Sequence, residues 1–153
     1  MFFYTADAQH TFDYSVKIKP TSFAGLPGLH SYVHCQTDSK WLFIGGRKDG
    51  LHARQPFAAF QTSGNKDSIF VADVKKQSVW SVSLTSLSTD LQEQLQSTNM
   101  NFHQIEDTLY IIGGYAYSPT AQDHVTFPFL TTVQVSSLID DIINGRSITN
   151  NFK

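Results

Sequence analysis

Apolar and polar positions alternate along most of this chain with a period of two, and turn residues cut the pattern into short pieces. Phe12, Tyr14, Val16 and Ile18 alternate with Asp13, Ser15 and Lys17, which predicts a strand over 12–18 that ends at Pro20. Gly25-Leu26-Pro27-Gly28 reads as a turn. Leu29 to Cys35 reads as a strand, Gln36 to Lys40 as a polar hairpin turn, and Trp41-Leu42-Phe43-Ile44 as a strand buried on both faces that stops at Gly45-Gly46. A long polar stretch follows to Ser68. Then come Ile69 to Val74 as a strand, Lys75 to Gln77 as a turn, and Ser78 to Ser83 as a strand. Leu84, Leu87, Leu91 and Leu95 fall at helical spacing as a core-facing stripe. Thr89-Asp90-Leu91-Gln92 fits a capping box, so a short helix is expected from Thr89 to Gln96.

The second half repeats the first. Asn101 to Ile105 reads as a strand, Glu106 to Thr108 as a turn, and Leu109-Tyr110-Ile111-Ile112 as an apolar run before Gly113-Gly114. Tyr115 to Pro128 reads as a second long loop and Phe129 to Val135 as a strand. Ser136-Ser137 are then expected to cap a helix over Leu138 to Asn144, stopped by Gly145. The two glycine pairs lie 68 residues apart, each behind four apolar residues. A spacing of this kind marks a repeat architecture.

Trp41-Leu42-Phe43-Ile44-Gly45-Gly46, then Ile69 to Val74 with Asp73, then Trp80, resemble the kelch family of β-propellers. Leu109 to Gly114 match a second time. Gln134 stands near the expected Asp, and no Trp follows. The chain is also similar to secreted bacterial kelch-type propeller proteins. The resemblance implies an all-β fold: about two four-stranded antiparallel blades, with short helices after the blades. Residues 1–28 would form an N-terminal segment, 29–96 the first unit, and 97–153 a second, incomplete one. Propellers need roughly four to eight blades, so two units make an incomplete ring. Its first partners would be the remaining blades or further copies of the chain.

Composition narrows the chemistry. Only 16% of the 153 residues are charged and the formal net charge is −2, which argues against a nucleic-acid partner. No apolar run reaches the roughly 18 residues of a membrane span. Met1-Phe2-Phe3-Tyr4 is too short for an intact secretory signal, although the resemblance points to a secreted or cell-envelope protein. The one cysteine, Cys35, excludes an internal disulfide and reads as a core residue. None of the six histidines sits in a metal-ligand spacing, and neither diglycine carries the Lys-Ser/Thr of a phosphate loop. No catalytic residue, metal or cofactor is therefore expected. The two post-diglycine loops are instead expected to open on one face, with Arg47, His52, Arg54, Tyr117, Asp123 and His124 contacting a protein or glycan. The expected function is a non-catalytic binding or scaffold module. The alternative is a segment of a propeller enzyme, of oxidase or sugar-processing type, active only in the complete ring.

Overall fold

The structure, a computed structural model, describes residues 14–50 and 59–153. Among the described residues, eight strands form two antiparallel four-stranded sheets. The first is a meander in which β1 (Val33–Thr37), β2 (Lys40–Ile44), β3 (Ser68–Asp73) and β4 (Ser78–Ser83) lie in chain order. Helix α1 (Thr89–Leu95) leads to the second sheet, made of β5 (Thr98–Ile105), the long β6 (Thr108–Ser118), β7 (Asp123–Thr126) and β8 (Leu130–Gln134). Helix α2 (Val135–Ile143) follows. Among the described residues, no helix is long and apolar enough to cross a membrane.

The 68-residue repeat is literal in the first hairpin of each sheet. Asp38 and Glu106 both take positive φ, at 52° and 51°, between strands whose ends differ by 68. The closing partner of Lys40 is Asp73, and the closing partner of the equivalent Thr108 is Gln134. Gln134 therefore holds the aspartate's place. In the first sheet the Asp73 carboxylate accepts from Ser39 Oγ and the amides of Lys75 and Lys76, tying the turn that starts β4. In the second sheet the carboxylate has changed sides. Asp107, in the position of Ser39, accepts from the Ser136 amide at 2.9 Å and its hydroxyl at 2.5 Å. That carboxylate serves the free N–H groups at the start of α2, and a helix replaces the strand that carries Trp80.

Several expectations are corrected. Phe12 and Asp13 lie outside the described residues, and residues 14–18 form no strand; Tyr14, Val16 and Ile18 are exposed. Alternation supplies two faces, but a strand needs a neighbouring ladder, and this segment joins neither sheet. The hairpin turn is tighter than expected, with only Asp38 and Ser39 between β1 and β2. β2 is not buried on both faces: Leu42 and Ile44 are buried, while Trp41 and Phe43 are half-buried. No capping box forms at α1, whose N-cap is Ser88 without a side-chain bond; Gln92 donates to the Leu87 carbonyl instead. α2 starts at Val135, so Ser136 lies inside it.

The largest correction concerns residues 115–128. They are not a loop, because β6 runs straight through its diglycine to Ser118 and turns into β7. Ile112 faces Leu130 and Tyr115 faces Thr126, so Gly113-Gly114 oppose the three residues Phe127, Pro128 and Phe129. This is a one-residue β-bulge. It keeps its flanking bonds, Gly113 N–H to Phe129 O and Phe127 N–H to Gly114 O. Pro128, which has no N–H, occupies the unpaired middle position.

One core serves both units. Val33, Cys35, Leu42, Ile44, Ile69 and Val71 form the buried front face of the first sheet. Met100, Leu109, Ile111 and Val133 of the second sheet belong to the same cluster, as does the apolar side of α2. Adding 68 to Val33, Cys35, Leu42 and Ile44 gives Asn101, His103, Tyr110 and Ile112, all exposed. Subtracting 68 from Met100, Leu109 and Ile111 gives Tyr32, Trp41 and Phe43, all half-buried. The sheets therefore stack front to back, each presenting a different face to the common core.

The stacking needs two glycines. A Cβ on Gly45 would lie 2.6 Å from Ser97 O and 2.5 Å from Met100 Cε; one on Gly114 would lie 2.0 Å from Ser97 Oγ. Both have positive φ. We expect Gly114→Ala to lower stability by about 2–3 kcal/mol in denaturant unfolding. Gly28→Ala, with nothing within 4 Å of the added carbon, should change it little.

Candidate functional site

Arg47 follows the first diglycine and continues the first sheet beyond β2, pairing its backbone with His30 on one side and Asn65 on the other. Its guanidinium is only 1% exposed. Nε and Nη2 donate to the two carboxylate oxygens of Asp49 at 2.9 and 2.5 Å, Nη1 donates to Asn65 Oδ1 at 2.8 Å, and Nη2 also donates to Gln61 O at 2.9 Å. The planar fork is thus spent on one aspartate and on the two ends of the short 3-10 turn Thr62–Gly64. Its Cζ lies 5.5 Å from the centre of the Phe60 ring. Arg47 is a buried strut, and the expectation that it meets a ligand directly is corrected. The physical reason is that the side chain is buried and four of its five N–H donors already end on the protein.

From Phe60 an aromatic cluster crosses to the second unit. Phe60 stands edge-on to Tyr115 at 5.1 Å, Tyr115 is stacked on His124 at 5.9 Å, and Tyr117 meets His124 edge-on at 5.4 Å. Tyr117 and His124 are direct cross-strand partners, and Tyr115 shares their face because it stands two residues from Tyr117. The His124 Nε2 lies 3.3 Å from the Phe60 carbonyl, a hydrogen bond between the two units. An open cavity of about 280 Å³ lies here, lined by Phe60, Gln61, Thr62, Tyr117 and His124. Asp123 is exposed beside it, and its carboxylate accepts from the His124 amide at 2.7 Å.

Of the six candidate residues, the fold brings Tyr117 and His124 together on the cavity wall, with Asp123 at its rim. Arg47 stands behind Phe60. His52 and Arg54 lie outside the described residues. Phe60, Gln61, Thr62 and Tyr115 were not singled out from the sequence. The i, i+2 spacing of Tyr115 and Tyr117 would have placed both rings on one face, had this segment been read as a strand.

The other face of the same hairpin is an acidic anchor. Ser118 Oγ, Thr120 Oγ1 and the Thr120 amide all donate to the Glu93 carboxylate of α1, at 2.5, 2.7 and 3.2 Å. Burial pushes the Glu93 carboxyl up, and these hydrogen bonds more than offset that, so it sits below the ordinary glutamate value. The buried Cys35 thiol is pushed up to about 12, first by burial and then by the charge of Asp107. It is a packing residue. Among the described residues, no three His, Cys, Asp or Glu side chains gather closely enough to hold a metal ion.

Asp49 is held below the ordinary aspartate value chiefly by its hydrogen bonds from Arg47. Its contribution to stability is therefore fully present above the ordinary range, near pH 4, and is lost as the pH falls through the depressed value. Melting temperature measured from pH 6 down to pH 2.5 should show an acid loss that is smaller in Asp49→Asn. Arg47→Lys cannot reproduce the fork and should destabilise the chain by about 3 kcal/mol or more in denaturant unfolding, since it leaves Asn65 and Gln61 O unpaired.

No family model, no curated protein and no solved structure matches this chain.

Proposed function

We propose that the chain is a non-catalytic binding module made of two consecutive units of a kelch-like β-propeller, and that the cavity between the units takes a glycan. Three features support the propeller part. Each unit contributes its own antiparallel sheet, the leading hairpins correspond residue for residue at their turns at a step of 68, and the sheets stack front to back. Two such sheets do not close a ring, so the first contacts of the module are further units.

The observation that carries the ligand reading is the cavity wall. Tyr117 and His124 offer ring faces and polar tips, and the polar residue Thr62 lines the same cavity. A sugar ring has an apolar C–H face and an equatorial rim of hydroxyls, and this wall matches both. Formal charge close to neutral suits a neutral ligand better than a polyanion.

Isothermal titration of the intact chain with neutral oligosaccharides tests this. We expect saturable binding that Tyr117→Ala weakens by about tenfold, the loss of one stacking contact. Folded protein that binds no member of a broad neutral panel would overturn the glycan reading.

A further inference from the structure

Among the described residues, the front-to-back stacking leaves the front of the second sheet exposed and the back of the first only partly covered: Phe70 and Ala72 there are buried, Tyr32, Trp41 and Phe43 are half-buried, and His34 is exposed. On the back of the first sheet, Tyr32, Phe43, Trp41 and His34 form a row of rings. Tyr32 meets Phe43 at 5.4 Å, Phe43 and Trp41 are stacked at 6.3 Å, and Trp41 and His34 at 5.8 Å. The segment around Gly25 lies against Val79, at the far side of this face, and leaves the row half-buried to exposed. On the front of the second sheet, Ile112 and Leu130 are cross-strand partners, 52% and 60% exposed, with Tyr110 beside them. A shallow cavity of about 220 Å³ lies on this surface, lined in part by these three residues and His103.

Neither face is an ordinary solvated surface. None of the strand positions of β1 to β4 on the one face, nor of β5, β8 and β6 up to Ile112 on the other, is Asp, Glu, Lys or Arg; β7 carries Asp123, and Lys66 Nζ reaches over the Phe70 ring at 5.3 Å next to Phe43. Exposed sheet faces ordinarily carry charges, and a large uncharged apolar patch marks an interface. The internal contact shows what each face is shaped to meet. Inside the chain, the positions of Leu42 and Ile44 pack in one core with those of Met100, Leu109 and Ile111. On the free faces the same positions are Tyr110 and Ile112 on one side, and Tyr32, Trp41 and Phe43 on the other.

We infer that the front face of the second sheet in one copy, centred on Ile112 and Leu130, docks onto the Trp41 row of a second copy and repeats the internal sheet-to-sheet contact. This rests on the stacked-unit reading above and not on the glycan cavity. The contact is heterologous, because two different surfaces meet, so every open assembly still offers one face of each kind, one at either end. Association continues head to tail until a ring closes or the supply of copies ends.

Light scattering coupled to gel filtration, run over a range of concentrations, tests this on the intact chain. We expect masses at multiples of 17.2 kDa that grow with concentration. Leu130→Asp removes one face and Trp41→Asp the other, and each variant alone should run as a monomer. Mixed in equal amounts, they should form two-copy complexes and nothing larger, because one intact pair of faces survives. His34→Asp, at an exposed position of the same row whose ring also meets Phe102 of the second sheet edge-on at 5.0 Å, replaces Trp41→Asp if circular dichroism shows that the latter is unfolded and His34→Asp folded. Wild-type protein that stays monomeric throughout, a folded single variant that still associates, or a mixture that does not would each overturn the inference. Oligosaccharide titration of Leu130→Asp separates the two readings: binding retained in a monomer leaves the cavity standing whatever the association result.

Discussion

The segment Ser97 to Met100 is pressed between two glycines, one from each repeat. Gly45 of the first unit and Gly114 of the second both abut it at distances that no side-chain carbon tolerates, and the Gly46 amide donates to Ser97 O at 2.9 Å. This close backbone crossing fixes how far apart the sheets stand and how they are turned. The shared core then fills around it, with Met100 reaching between the sheets and α2 lying against the first sheet. The cleft inherits the same constraint. Phe60 belongs to the first unit, Tyr115 and His124 belong to the second, and their contacts exist only because the crossing holds the units in one relation.

Arg47 shows how the same residue serves fold and site in sequence. A guanidinium in a polar loop after a diglycine is chemically suited to greet a ligand, but here the loop doubles back on it. Asp49, Asn65 and Gln61 O take its donors, and its flat face supports Phe60. The bidentate pair, buried at Arg47 and open to solvent at Asp49, backs an aromatic residue with positive φ, 55° at Phe60, that lies against the hairpin of the other unit. Rigid placement of a ring reduces the ordering cost that a ligand would otherwise meet on binding. The strut therefore contributes to the cleft without touching what enters it.

Local signals were legible where the determinant was local. The hairpin strands, the two helices and the 68-residue step follow from period-two runs, leucine spacing and turn residues, all of which act within a few positions. Gln134 could be aligned with Asp73 for the same reason. What the sequence did not disclose depends on distant partners. The diglycine in β6 reads as a stop, yet β8 and β7 lie in line beside it and carry the strand across as a bulge. The cap of α2 comes from Asp107, 29 residues from Ser136. The alternation at 14–18 has the right pattern and joins neither sheet. In the cleft, Tyr117 and His124 were legible as residue types, whereas Phe60 and Tyr115 became site residues only through contact between units.

Front-to-back stacking has a consequence for any cleft built across it. If like faces met like, two units would satisfy each other and the pair would be complete. Unlike faces leave a remainder of both kinds, which no number of units in an open row removes. Here the remainder is chemically visible: a half-buried aromatic row at one end, and the exposed Ile112 with Leu130 at the other. The interior contact has already placed Phe60 of one unit against Tyr115 of the next. Every further junction of the same kind would bring a post-diglycine loop against a neighbouring hairpin in the same way. A cleft of this type therefore belongs to the junction between the two sheets rather than to either sheet alone.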